Sequence, residues 1–204
     1  QFVIPSYLII LALLLSGCVQ ENSTLTPQPA STPLTTPEAT PTTTSFNYTP
    51  TPFILQYGVK YAVKVVHVVD GDTIDALMPD GGKERIRILG IDTPEKRADS
   101  NKPGEYDEIS DVYYLAYWGQ MASDRAEELL EGRTVEIEFD ETAGMRGYYG
   151  RLLAYIYIDG RDFGAIMISE GLARVYVEGR FEKEVEYVRI ENEAMANKNG
   201  LWNY

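Results

Sequence analysis

The chain has 204 residues and a formal charge of −13, from 31 acidic and 18 basic residues, with one histidine and one cysteine. A single cysteine excludes a disulfide framework, and a single histidine (His67) leaves any metal or acid–base chemistry to oxygen donors. So acidic a chain is not drawn to nucleic acid by net charge.

Phe2 to Leu15 is nearly all apolar and is followed by Ser16, Gly17 and Cys18. The run is shorter than the roughly 20 residues of a spanning helix. It fits a signal-peptide core, which puts a signal peptide over residues 1–17. "LSGC", Leu15 to Cys18, resembles the lipobox of prokaryotic lipoproteins. That resemblance implies cleavage before Cys18 and lipid on its thiol; the plainer reading is an uncleaved anchor helix. Residues 18–55 are rich in Thr, Pro and Ser and contain no Lys or Arg. Such a composition cannot bury enough apolar surface to offset its ordering entropy. As a polyproline-type tether at ~3.1 Å per residue it would reach on the order of 100 Å. Asn22 and Asn47 stand in N-x-S/T sequons.

Residues 56–204 are long enough for one domain with its own core. All 18 basic residues lie here, and two of the 31 acids, Glu21 and Glu38, precede it, which leaves the domain at −11. Tyr61–Val69 is rich in β-branched residues, Asp70-Gly71-Asp72 is a turn signal, and Thr73–Met78 resumes as a strand. Pro79 to Gly82 makes a second tight turn, and Arg85–Ile91 a third strand. Lys96–Tyr113 is polar and acidic and reads as a long loop. The spacing of Ala116, Ala122, Ala126, Leu129 and Leu130 predicts a helix over Tyr114–Leu130, stopped by Gly132. Thr134–Phe139 and Leu152–Ile158 complete five strands. Helices are expected over Asp162–Glu170 and Glu182–Asn199, each followed by glycine. Five short strands, with a helix between the third and fourth, match an α+β five-stranded oligonucleotide/oligosaccharide-binding (OB) barrel with three helices.

Asp72 opens the second strand and Asp92 closes the third, so a meander brings them close. Two carboxylates with backbone carbonyls and water suit a hard cation such as Ca²⁺. His67 lies mid-strand and reads as structural. Arg87 shares facing parity with Leu89 and Ile91; a guanidinium there implies an anion that comes to it. Arg151 begins the fifth strand after "GYYG". Two arginines, a cation and one carboxylate base are the parts of a phosphodiester-cleaving site.

"VVDGDTI" (Val68–Ile74), "RILGIDTPE" (Arg87–Glu95), "YYGRLLAYIY" (Tyr148–Tyr157), "GLARVY" (Gly171–Tyr176) and "GLW" (Gly200–Trp202) stand in order across the domain. Together they make the domain resemble the staphylococcal nuclease family. The resemblance implies Ca²⁺ held by Asp72, Asp92 and the Thr93 carbonyl, with Asp70 behind the metal ligands. It implies Glu95 acting on the attacking water and Arg87 and Arg151 gripping the scissile phosphate. Tyr149 and Tyr176 would contact phosphate and stack on a base. It further implies cleavage of DNA and RNA to leave 3′-phosphates. For Tyr148, Tyr149 and Tyr176 packing at a barrel rim is an equal alternative; Tyr117 and Trp118 read as core.

Three features depart from the family pattern. Gly147 and Tyr148 stand where an acid and a base are often found before the tyrosine. The acidic stretch after Glu95 could cover the site, bind a second Ca²⁺ or exclude duplexes. The domain's charge opposes binding unless a patch of Arg85, Arg87, Lys96, Arg97, Lys102, Arg146 and Arg151 takes the substrate. The expectation is a monomeric, extracytoplasmic, membrane-anchored nuclease preferring single-stranded DNA and RNA. A non-catalytic barrel binding single strands or a protein, and a surface Ca²⁺-binding or adhesion module, are the rivals.

Overall fold

The computed structural model describes residues 53–204. The expected signal peptide, Cys18, both sequons and most of the linker lie outside the described residues. Strands are β1 (Lys60–Asp70), β2 (Thr73–Leu77), β3 (Lys83–Ile88), β4 (Ile91–Asp92), β5 (Thr134–Glu138), β6 (Leu152–Ile158), β7 (Arg161–Asp162) and β8 (Arg174–Val175). Helices are α1 (Val112–Leu130), α2 (Phe163–Ser169) and α3 (Glu184–Ala196).

The main sheet runs β3-β2-β1-β5-β6-β7, and a parallel β3–β6 pairing closes its first five strands into a barrel. One strand serves two neighbours. The first half of β1 pairs with β5 and its second half with β2, with register shifts at Val65/His67 and Val68/Asp70. Such bulges bend a strand, and closure needs the bend. The interior follows the two-residue alternation of the strands. Val63, Val65, Ile74, Ala76, Ile86, Ile88, Val135, Ile137, Leu152, Ala154 and Ile156 are all fully buried. The predicted α+β barrel with three helices is the fold observed.

α1 lies on one end of this barrel. Its buried positions Leu115, Gly119, Ala122, Ala126 and Leu130 recur every three or four residues and are mostly small, so the helix approaches closely. Asp111 caps it by accepting from the amides of Tyr113 (2.9 Å) and Tyr114 (3.1 Å), which starts the helix two residues before the expected position.

Three expectations need correction. Arg85–Ile91 is not one strand. β3 stops at Ile88, and Gly90 turns the chain with φ +82° where an added Cβ would lie 2.7 Å from Phe181. Ile91–Asp92 then pairs with β8 as a separate two-stranded ribbon. The facing argument for Arg87 fails with it: Ile86 and Ile88 fill the barrel, and Arg87 lies on the opposite face. Tyr117 is exposed, not core, although its neighbour Trp118 packs against the barrel.

Across β2 and β3, Asp75 sits opposite Arg85 and accepts from its Nε at 2.7 Å, with Lys83 Nζ at 3.1 Å. The Arg85 hydrogen bond is the main force holding the Asp75 carboxyl down, from 3.8 to about 2. A lowered pKa stabilises the fold above the unfolded value, and that contribution disappears as the pH falls from about 4 to about 2. Asp75→Asn is therefore expected to lose ~1–2 kcal/mol at pH 7, reduced by the exposure of both cations. Urea titrations should show the gap to the parent protein closing by about pH 2; a gap that persists there would contradict the assignment.

Candidate active site

A cleft of about 450 Å³ opens on the barrel surface where the β1–β2 turn, β3, β4, the loop before β6 and the segment after β8 meet. Asp70, Asp72, Arg87, Asp92, Glu95, Tyr149, Arg151 and Tyr176, all nominated from the sequence, line it. Thr93 is buried directly behind Asp72.

The acidic turn is built locally. Asp70 accepts from the Asp72 amide at 3.2 Å, a side-chain-to-backbone turn that aspartate favours. Gly71 lets this turn press against its neighbours, since an added Cβ would lie 2.8 Å from Thr93 Cγ2 and 2.9 Å from Ala122 Cβ. Asp72 is thus delivered to Thr93, whose amide (2.9 Å) and hydroxyl (3.0 Å) both donate to Asp72 Oδ2. Thr73 Oγ1 donates to Oδ1 at 3.0 Å.

Arg87 joins the two strand ends. One guanidinium nitrogen pairs with Asp72 Oδ1 and the other with Asp92 Oδ1 at 2.7 Å. The second oxygen of Asp92 is taken by Arg174, through Nη2 at 2.9 Å and Nε at 3.1 Å, and by the Tyr106 hydroxyl at 3.3 Å. Arg174 also pairs with Glu178 at 2.9 Å. Burial and then Asp92 push the Tyr106 hydroxyl far above the usual tyrosine value, so it stays a protonated donor.

Glu95 sits beyond Pro94 at the cleft mouth. Its side chain is exposed as a whole, yet its carboxyl is pushed up, first by partial desolvation, then by Asp70, Asp92 and Glu105, against a lowering by Arg87. Asn101 fixes the turn: it accepts from the Glu95 amide at 2.9 Å and donates to the Glu95 carbonyl at 2.8 Å and the Arg97 carbonyl at 3.0 Å. From below, α1 presents Gly119, where a Cβ would stand 2.5 Å from the Pro94 carbonyl oxygen.

Asp70, Asp72, Asp92 and Glu95 bring only carboxylate oxygens to the cleft, and Asp70 and Asp92 add to the cost of ionising Glu95. Among the described residues no group of three or more His, Cys, Asp or Glu side chains is placed so as to hold a metal ion by itself. Asp72 and Asp92 converge on one guanidinium at the cleft, and carboxylate oxygens are the donors that hard cations take.

The remaining nominated residues differ in their fates. Arg151 is half-buried, 5.9 Å above the Tyr149 ring, and touches Thr73 Oγ1 only at 3.5 Å. Tyr148 and Tyr149 are 97% and 81% exposed, so rim packing does not account for them. The expected basic patch is mostly spent. Arg85 pairs with Asp75, Arg87 with Asp72 and Asp92, Arg97 with Asp99, Lys102 with Glu105 and Arg146 with Glu84. Lys96, Arg151 and the adjacent Arg180 have no carboxylate partner among the described residues. The acidic stretch after Glu95 is pinned by Tyr106 and Ile109, which pack with Leu115 and Leu201.

Sequence reasoning missed Arg174, Tyr106, Asn101 and Gly119. Arg174 carried a signal, a lone charge among the apolar residues of "GLARVY", and so did Gly119, a glycine inside a helical pattern. Tyr106 and Asn101 carried none.

The barrel sets two arginines and a group of carboxylates on one cleft. The chain belongs to the staphylococcal nuclease family: the family model described as "Staphylococcal nuclease homologue" matches residues 85–204. It is 43% identical to an uncharacterized protein of Methanocaldococcus jannaschii, over 71% of this chain and 72% of that protein. It is 36% identical to endonuclease YncB of Bacillus subtilis, over 69% of this chain and 61% of the relative, so it spans about three fifths of that protein. Thermonuclease of Staphylococcus hyicus is 30% identical, over 68% of this chain and 74% of its own length.

Gly119→Ala should cost about 1–3 kcal/mol in urea unfolding through overpacking, although alanine is the better helix former by ~1 kcal/mol. A stabilised Gly119→Ala protein would refute the close approach to Pro94.

Proposed function

We propose that this protein is a Ca²⁺-dependent nuclease that hydrolyses phosphodiester bonds of DNA and RNA and leaves 3′-phosphates. The observation that carries this reading is the meeting of Arg87, Glu95 and Arg151 in one cleft with Asp72 and Asp92. A module that only bound nucleic acid would need no carboxyl of raised basicity beside two arginines. The names endonuclease and thermonuclease, carried by relatives, support it.

Ca²⁺ held by Asp72, Asp92 and the Thr93 carbonyl would supply positive charge against the negative charge that builds on the phosphoryl oxygens. Arg151, with no competing carboxylate among the described residues, contacts a non-bridging oxygen from one side. Arg87 contacts the phosphate from the other side, and for that its fork has to leave the carboxylates it now holds. Glu95 accepts a proton from water as the water oxygen bonds to phosphorus; its raised pKa makes it a stronger base than an ordinary carboxylate. The P–O5′ bond breaks, and the 5′ oxygen takes a proton from solvent. The phosphate stays on the 3′ side.

The same proposal places the enzyme outside the cytoplasm as a monomer, tethered through lipid on Cys18 and the Thr/Pro-rich linker. The apolar segment, "LSGC" and the linker composition support this.

In assays of single-stranded DNA and of RNA, cleavage is expected with Ca²⁺ and not with excess EGTA, and should return on adding Ca²⁺. Glu95→Gln should abolish turnover while retaining binding, and Arg151→Ala should reduce turnover by several orders of magnitude, by ~3–5 kcal/mol of transition-state stabilisation. A less than tenfold loss for Arg151→Ala, or cleavage indifferent to EGTA, would contradict the mechanism.

A further inference from the structure

The loop before β6 ends in a tight turn. The Gly147 amide donates to the Arg151 carbonyl at 3.0 Å, and the Gly150 amide to the Gly147 carbonyl at 2.9 Å, with Gly150 at φ +76°. Arg146 braces the turn, donating to the Gly150 carbonyl at 2.7 Å and to Glu84 at 2.6 and 3.0 Å. At its apex stand Tyr148 and Tyr149, edge to face with ring centroids 5.2 Å apart. Both line the cleft, and both rings are turned to solvent. Leaving two large aromatic rings this open on a braced turn forgoes the stability that their burial would bring. The turn thus holds two aromatic faces ready beside Arg151.

Charge leads to the same place. Of the cations around the cleft, those without a carboxylate partner among the described residues are Lys96, Arg151 and Arg180, in a domain of −11. Few phosphates can be neutralised, so counterion release supplies little affinity. A polyanion binding here needs another source of free energy. Stacking of bases on aromatic rings is that source, and it requires unpaired bases with free faces.

We infer that Tyr148, with Tyr149, forms a base-stacking platform that selects single-stranded nucleic acid by ring contact rather than by charge. Tyr148 takes the face of a base next to the phosphate held by Arg151. This rests on the nuclease reading for the identity of the polymer.

The test uses the full-length chain carrying Glu95→Gln, so that bound strands survive, and a fluorescent deoxythymidine oligonucleotide of about 12 residues. Adding Tyr148→Ala should weaken binding about 5- to 150-fold, and Tyr148→Phe should restore it to within twofold. A duplex of the same length should bind no more weakly after Tyr148→Ala. For single strands the slope of log K against log salt should lie near −2, the value for about three neutralised phosphates at −0.7 each. Less than a twofold loss for Tyr148→Ala, an equal loss on duplex, failure of Tyr148→Phe, or a slope steeper than about −4 would each overturn the platform. Cleavage by the chain without Glu95→Gln is measured alongside. Cleavage with any of those four results sinks the platform and leaves the nuclease reading standing. No cleavage and no binding sinks both.

Discussion

The guanidinium of Arg87 lies between Asp72 and Asp92, and the geometry of the cleft follows from that bridge. Two carboxylates close enough to share one guanidinium repel each other by an amount on the order of 4 kcal/mol at 4 Å and an effective dielectric of 20. Without a cation between them the ends of the β1–β2 turn and β4 would be forced apart. Arg87 supplies that charge in the structure, and Arg174 and Tyr106 complete the second oxygen of Asp92. In the proposed enzyme Arg87 is also needed at the phosphate. One side chain cannot serve both partners, so the carboxylates' charge has to be met by a second cation when substrate is bound. Cation binding and phosphate binding are then linked through a single arginine.

Around this bridge the scaffold is made of close approaches. Gly71, Ala122 and Gly119 allow α1 and the acidic turn to press on the Thr93–Pro94–Glu95 segment from two sides, and Asn101 holds it from a third. Gly119 meets the Pro94 and Glu95 backbone, which has no rotamers to yield, and Gly71 meets the Thr93 side chain, which its hydrogen bond to Asp72 holds in place. Glu95 is thus on a rigid base at the mouth of the cleft, while the groups expected to meet substrate bases, Tyr148 and Tyr149, are on an exposed turn. Rigid chemistry beside an open recognition surface suits a polymer substrate that must enter and leave.

Much of the barrel was legible because burial alternates with period two along β3, β5 and the middle of β1, at Val63, Ile86 and Val135, and because β6 is a short, nearly continuous apolar run. The "DGDT" and "DTPE" turns were legible for a related reason, since turn chemistry is local. Pairing across long sequence separations was hidden. Nothing in the chain near Arg146 announces Glu84, and nothing near Arg174 announces Asp92, because ion pairs form between elements the fold alone brings together. A patch of seven cations read from composition therefore became two, Lys96 and Arg151, once pairing was counted, joined by Arg180 from outside it. The break at Gly90 was hidden as well: "RIRILGI" reads as a continuous strand unless Phe181 is known to lie against the glycine.

The linkage through Arg87 is tested most directly by Ca²⁺ titration of the full chain without nucleic acid, followed by thermal unfolding, in the parent protein and in Arg87→Met. Removing the internal cation should destabilise the Ca²⁺-free protein by about 3–5 kcal/mol, because the buried Asp72 loses its one cationic partner among the described residues and the partly buried Asp92 keeps only Arg174. It should also make the rise in melting temperature on adding Ca²⁺ larger than in the parent. An Arg87→Met protein that Ca²⁺ stabilises no more than the parent would show that the two cations do not compete for Asp72 and Asp92, and the account of the site would be wrong.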